Sequence, residues 1–330
     1  MLGIHFLGSG IISLDEVPTP QPKGQNVVVK INAAGICGTD RHPLMEHGQQ
    51  TIPGHENAGV IATVDKPTRV KVGDRVGINC HITCHACEHC LRGDLYFCDK
   101  LEVTGFEWDG GFAEYILVPE SCCMSLPADI SFDMGALLVD VLGTAYRGVT
   151  KAGLMPGDQV AIWGAGPIGL EAATVATWLG ARVAILDPSK YRLEMAKYLK
   201  PELILDPTQK GVKEALMDWT NGSGLDVGYD CVGNENAIHQ AMDAVKKRGK
   251  VGIIGVSRSL TVDPWDMIQR ELSIYATRNI NTNQFAEMTA LIQRGMPVYF
   301  VVTHKFPLKD AEKAFELFRS GECGKIVFTG

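Results

Sequence analysis

A short apolar run, Val160-Ala161-Ile162-Trp163, gives way at once to Gly164-Ala165-Gly166-Pro167-Ile168-Gly169, and a helix-like stretch from Leu170 to Leu179 follows. Few folds let a strand turn into a helix through three glycines so spaced. The first glycine makes the tight turn, the second lets the backbone approach a pyrophosphate, and the third allows close helix–strand packing. The N-terminus of the helix then offers unpaired N–H groups to the anion. Pro167 and Ile168 complete the turn. Asp187 ends the next apolar run, eighteen residues after Gly169. A carboxylate there accepts from an adenosine ribose 2′-hydroxyl and repels a 2′-phosphate, which favours NAD over NADP. Lys190 and Arg192 follow. Arg192 is counted with the cofactor residues, although both cations suit the exposed face of the following helix.

The rest of the chain divides around this turn. From Thr144 onward, apolar runs at Val160–Trp163, Arg182–Leu186, Val227–Cys231 and Val251–Val256 alternate with helical stretches such as Ala237–Lys247. That alternation predicts a parallel sheet of right-handed βαβ units. Cys231, Val232, Gly255 and Val256 then end strands on the cofactor side, where their backbones line its channel. The first 120 residues read differently, as short runs at Val27–Asn32, Ala58–Val64, Arg75–Ile78 and Tyr115–Pro119 broken by turn residues. A chain of 330 residues also exceeds one usual core. Two domains are expected.

Charge excludes one class of partner. With 31 basic and 38 acidic side chains there is no basic stripe to neutralise nucleic-acid phosphates. Met1 to Ser13 lacks a basic leader with a small-residue cleavage site, and no later segment approaches the roughly eighteen apolar residues of a membrane span. A cytoplasmic protein without nucleic-acid or membrane partners is expected.

Six of the ten cysteines crowd between Cys37 and Cys98, a pattern of metal binding rather than disulfides. Cys84, Cys87, Cys90 and Cys98 can close a tetrahedron from one short loop and leave no open position, so a zinc there is structural. An iron–sulfur run would have a three-residue last gap followed by proline, whereas the gap here is seven and Asp99 follows. Cys80, His81, His85 and His89 are spare donors expected to face solvent. Cys122, Cys123, Cys231 and Cys323 read as small buried hydrophobes. A second candidate pairs Cys37, in Cys37-Gly38-Thr39-Asp40-Arg41-His42, with His55, in Gly54-His55-Glu56. A catalytic zinc needs a third ligand and an open place.

These motifs, with Gly110-Gly111-Phe112-Ala113-Glu114-Tyr115 and the glycine turn, stand in an order that resembles the zinc-containing medium-chain dehydrogenases over nearly the whole chain. The resemblance is greatest to the polyol (sorbitol) and threonine dehydrogenase branch, because Gly38 follows the first cysteine and a carboxylate stands at the third-ligand position. That residue is Asp140, in Asp140-Val-Leu-Gly-Thr-Ala-Tyr146, where alcohol dehydrogenases have cysteine and sorbitol dehydrogenases glutamate. The resemblance implies an α/β protein. A GroES-like β-rich catalytic domain would cover 1–141 and 284–330, and a Rossmann doubly wound parallel-sheet domain 142–283, with the active site in the cleft between them. Pro307 to Gly321 has the period of one amphipathic helix.

The same resemblance implies zinc-dependent hydride transfer from a secondary alcohol to NAD in a homodimer or homotetramer. Zinc acidifies a hydroxyl that it binds. Thr39 would accept the proton and pass it through the nicotinamide ribose to His42, whose imidazole would hand it to solvent. Glu56 is either a fourth, displaceable ligand or a hydrogen-bond partner of the bound water. Asp40 would take the second N–H of His55. Arg278 and Lys325 match positions that approach the coenzyme. Glu56, Phe106, Trp108, Asp109 and Arg41 would wall a pocket for a polyol, cyclitol or sugar. L-Threonine is the alternative substrate, and a non-catalytic NAD-binding redox sensor the alternative class, which would require the catalytic zinc to be missing.

Overall fold

The three-glycine turn folds as its spacing dictates. Gln159–Trp163 runs into the helix Pro167–Trp178 and occupies the middle of a six-stranded parallel sheet. The sheet order is Leu203–Leu205, Arg182–Leu186, Gln159–Trp163, Leu225–Asp230, Val245–Ile253 and Ser273–Ala276. Chain order therefore reverses beside Gln159–Trp163, which is the doubly wound arrangement that binds ligands at the carboxyl ends of its strands. Trp163, Tyr229 and most aliphatic residues of the central strands, such as Val160, Ile162, Ile185 and Val251, are buried between flanking helices. One expected helix is shorter than its period suggested. It spans Glu235–Ala244, and Lys246 and Lys247 lie in the next strand, where Lys246 reaches Asp226 at 2.5 Å.

The structure, a computed structural model, describes residues 1–66 and 69–330. They sort into two units. The second, just described, takes Val141–Asn279 and Leu291–Val301; the first takes Met1–Asp140, Ile280–Ala290 and Val302–Gly330. The C-terminal return, expected as one segment from residue 284, thus comes as two.

The first unit is built on a seven-stranded sheet in which Val302–Pro307, Lys325–Thr329, Asn26–Gly35, Glu56–Val64, Arg75–Ile78 and Cys123–Ser125 lie in order and Tyr115–Pro119 pairs with Asn26–Gly35. Alternating side chains of these strands enclose Phe6, Phe112, Phe315 and Phe328, whose rings meet edge-on or tilted at centroid distances of 5.2 to 6.4 Å. Full burial of each such ring is worth about 2–3 kcal/mol. The amphipathic segment at Pro307–Gly321 forms a 3-10 turn, Leu308–Asp310, and the helix Ala311–Ser320. No helix among the described residues is long and apolar enough to cross a membrane.

Candidate functional site

Two neighbouring turns and a helix junction of the first unit bring the candidate ligands together. Cys37 follows the strand Asn26–Gly35 and opens a 3-10 turn, Gly38–Asp40, whose Asp40 carboxylate accepts the Cys37 N–H at 2.8 Å. That reciprocal cap fixes where the thiol points. His55 precedes the strand Glu56–Val64 and is held by Gly54, which has φ +99°. A Cβ on Gly54 would lie 2.5 Å from the Phe112 ring, and the Gly54 carbonyl accepts from Gly111 N–H at 2.8 Å. The Gly54-His55-Glu56 and Gly110-Gly111-Phe112 motifs therefore interlock. Asp140 sits where the helix Phe132–Leu138 ends and Val141–Lys151 begins.

The resulting distances are those of a metal centre. Cys37 Sγ is 3.6 Å from Asp140 Oδ2, and His55 Nε2 is 3.4 Å from the same oxygen. Zinc bonds of about 2.0–2.3 Å at a tetrahedral angle require edges of about 3.3–3.8 Å. The donor set of thiolate, imidazole and carboxylate, nearly sealed from solvent, fits the ion; one oxygen of Glu56 also lies within 4.8 Å of the other three donors. His55 Nδ1 faces Asp40 Oδ1 at 3.6 Å, an ion-pair approach longer than a hydrogen bond.

The electrostatics show how much opposite charge this burial demands. Burial pushes the Cys37 thiol up, with His55 opposing. Burial alone would lower His55, but the charge of Cys37 and the carboxylates of Asp140 and Asp40 hold it well above the usual range. Burial also raises Glu56 to about 7 against the pull of Lys325. For Lys325, burial acts downward and the Glu56 charge prevails, holding it above its ordinary value. Lys325 Nζ touches both Glu56 oxygens at 2.6 and 2.7 Å, the geometry of an ion pair.

Lys325, which the resemblance matched to a position approaching the coenzyme, is buried against Glu56 beside the candidate metal ligands. The signal was present in the chain: Lys325 begins an apolar strand, Lys325–Thr329, and an inward lysine needs a buried partner. Thr39 Oγ1 donates to Cys37 Sγ at 3.3 Å, and His42, whose side chain is half exposed, pairs with Glu46 at 3.0 Å. Of the proposed pocket wall, Glu56 and Phe106 stand at the centre, the Phe106 ring 5.3 Å from that of His55. Three residues are engaged elsewhere. Asp109 accepts from Ile52 N–H, Trp108 donates to Glu102, and Arg41 lies over the Phe318 ring.

The four-cysteine loop makes a second centre. Cys90 Sγ is 3.9 Å from Cys84 Sγ and 3.5 Å from Cys87 Sγ, bracketing the edge of about 3.8 Å expected for four thiolates on zinc. Backbone N–H groups of Cys84, Cys87 and Lys100 point at sulfur at 3.3 to 3.4 Å. Such donors lower Cys84 to about 6, while burial raises Cys90 to about 12. Cys80 and His81 do not face solvent as expected: both are buried, because His81–Ile82 pairs with Glu102–Val103.

In the second unit each glycine of the turn has its reason. Gly164 has φ +100°. A Cβ on Gly169 would lie 1.7 Å from the Gly164 carbonyl oxygen, whereas one on Gly166 would meet only Arg192 Nη1 at 3.9 Å, leaving that backbone open to a pyrophosphate. Pro167 and Ile168 open the helix. Asp187 accepts from Ala165 N–H at 2.7 Å and Ser189 N–H at 2.8 Å, and Arg192 approaches it at 3.7 Å. Asp187 therefore braces the turn, a role that spacing did not disclose, and each oxygen keeps a second lone pair. Val232 and Val256 are exposed at strand ends, Cys231 and Gly255 are half-buried beside them, and Arg278 is exposed.

Comparison with known proteins agrees with this geometry. Residues 23–128 match the family described as alcohol dehydrogenase GroES-like domain, and residues 167–294 match zinc-binding dehydrogenase. The L-threonine 3-dehydrogenase of Coxiella burnetii (strain RSA 493 / Nine Mile phase I) is 34% identical over 327 residues, 95% of this chain and 94% of that one. The alcohol dehydrogenase TADH from Thermus sp. ATN1 superposes with a TM-score of 0.93 at 28% identity over the whole of both chains. The alcohol dehydrogenase of Escherichia coli CFT073 complexed with NADH superposes at 0.91 with 27% identity, over 100% of this chain and 99% of that one.

Proposed function

Because the chain belongs to the zinc-containing medium-chain dehydrogenases, we propose that it oxidises a small secondary alcohol, transferring hydride to NAD, with L-threonine the first candidate substrate and polyols the second. The observation that carries this reading is the triangle of Cys37, His55 and Asp140, with edges of 3.4 and 3.6 Å that suit zinc. Glu56 and the four cysteines complete the proposed set of metal residues. The name of the Coxiella relative favours threonine. The polyol reading rested on a charged and aromatic wall, and three of its members are committed to other partners.

Zinc in this centre would polarise the substrate hydroxyl and stabilise the charge left when its proton departs. The chain's own residues do the rest. Cys37, His55 and Asp140 fix the ion, and Asp40 orients Cys37 through its N–H. Thr39 is half-buried beside Cys37, and its hydroxyl can relay a proton outward. His42, three residues on and half exposed, can release it to solvent. Phe106, packed near His55, excludes water from one flank. In the second unit, the open backbone at Gly166 and the helix N-terminus receive the pyrophosphate, and Asp187 takes the adenosine ribose.

The deciding experiment is NADH formation by zinc-loaded protein across L-threonine, polyols, cyclitols, sugars and simple alcohols, repeated with NADP. Turnover of L-threonine with NAD is the expected result. Turnover confined to polyols would replace threonine with the second candidate, and no turnover in a protein that binds NAD but only one zinc would support the redox-sensing alternative.

A further inference from the structure

Asp230 ends the strand Leu225–Asp230 in full burial, yet its carboxylate meets no cation among the described residues. Its partners are two backbone N–H groups of the loop that follows. Oδ1 accepts from Val232 and from Gly233 at 3.0 Å each, and Oδ2 shares the Gly233 N–H at 3.2 Å. Burial pushes the carboxyl up, and these N–H groups oppose it. The main-chain carbonyl of the same residue accepts from Ile254 N–H at 2.8 Å and Gly255 N–H at 3.0 Å. Asp230 stands opposite Ile253 in the parallel register, so one residue ties the loops that leave two neighbouring strands. The loops touch where it holds them. A Cβ on Gly255 would lie 2.2 Å from Gly233 N, and one on Gly233, at φ +84°, would lie 2.5 Å from the Val256 carbonyl oxygen. Val232 also abuts the three-glycine turn, its Cγ2 2.9 Å from where a Cβ on Gly164 would stand.

In a doubly wound sheet each half serves one mononucleotide, and the halves meet where the chain order reverses. Gln159–Trp163, Arg182–Leu186 and Leu203–Leu205 form the half that carries the glycine turn and Asp187, whereas Asp230 ends the first strand of the other half. Val232 and Val256 lie just past the carboxyl ends of that half's first two strands and are exposed. Aliphatic side chains left open at such a crevice suit a flat ring that covers them. We propose that Asp230 is a positioning residue for the nicotinamide half of the coenzyme. Through the Val232 and Gly233 N–H groups it sets the wall that Val232 and Val256 present to the ring, while the adenosine half is held without it. The inference rests on the reading of the chain as an NAD enzyme.

The test is calorimetric titration of the whole protein with NADH and with ADP, which carries adenosine and a diphosphate but no nicotinamide. Asp230→Ala removes both carboxylate acceptors and keeps the main-chain bonds to Ile254 and Gly255. It is expected to weaken NADH by about 10-fold, the equivalent of one or two hydrogen bonds, and to leave ADP within about twofold. Hydrogen exchange at the Val232 and Gly233 amides should quicken in the same variant. Asp230→Asn keeps Oδ1, which takes both N–H groups, and should restore NADH to within about threefold of wild type. Gly233→Ala, which pushes the loop off the Val256 carbonyl while the carboxylate stays, is expected to show the same split and serves if Asp230→Ala does not fold. NADH and ADP weakened alike, NADH unchanged in either alanine variant, or no restoration by asparagine overturns the positioning role. A wild-type protein that takes neither NADH nor ADP overturns the coenzyme reading itself, a different result from failure of Asp230 alone.

Discussion

The two metal centres of the first unit solve the same problem by opposite means. The loop at Cys84–Cys98 collects four thiols within fifteen residues and prepares them with local backbone N–H groups, which bring Cys84 down to about 6. The other centre draws Cys37, His55 and Asp140 from segments far apart in the chain and seals them from water, so that burial pushes Cys37 up. The first is a clip that the local chain can make. The second exists only when the sheet is formed, and its charges are balanced by residues as distant as Lys325.

That difference predicts separable consequences. Cys37→Ser should lower kcat/KM by at least about 10³-fold, as expected when the group that orients the electrophile is lost. NAD affinity and melting temperature should stay near wild type; turnover surviving in steady-state assays would break the contrast. Cys98→Ser should act the other way. Loss of a structural metal belongs to the few mechanisms that cost more than about 4 kcal/mol, so chemical denaturation should show a large drop in stability. Normal folding with selective loss of turnover would contradict a structural role. In the second unit, Asp187→Ser should weaken NAD by about 10-fold and relax discrimination against NADP, because one ribose contact and the repulsion of a 2′-phosphate disappear together. Unchanged coenzyme affinities by titration would remove Asp187 from the coenzyme site.

The same contrast explains what could be read from the chain. The four-cysteine loop and the glycine turn are local, and their spacing carries their geometry: Gly164 takes a positive φ and Gly169 has no room for a Cβ, as the turn requires. Strand Arg182–Leu186 also lies where its apolar run ends. Asp140 needed a family resemblance, since nothing in its neighbourhood marks a ligand. Which residue would meet the inward Lys325 lay beyond both, because it depends on which strands are neighbours in the sheet, and its partner Glu56 lies 269 positions away in the chain. Three members of the expected pocket wall have partners that the chain did not disclose, for a related reason. Asp109, Trp108 and Arg41 have the right chemistry, but folding assigns them to Ile52, Glu102 and Phe318.

A buried carboxyl in the second unit provides the smallest and most direct check on the role of a partner charge. Glu171, in the helix Pro167–Trp178, is as fully buried as Glu56, and neither of its oxygens has a hydrogen-bond partner among the described residues. Where Glu56 has Lys325, Glu171 has nothing to offset burial, which holds its pKa well above the usual carboxylate range. Below the unfolded-state pKa of about 4.3 the group is protonated in both states, so its ionisation contributes nothing to the stability. As pH rises above that value the unfolded chain ionises first, and stability falls by about 1.4 kcal/mol per pH unit until the folded-state pKa is passed. Glu171→Gln removes this titration. It should match wild type near pH 4 and become increasingly more stable toward pH 7, as read by denaturant midpoints at each pH. An equal difference at every pH would mean that Glu171 stays charged in the fold, with a compensating partner as effective as the one that holds Glu56.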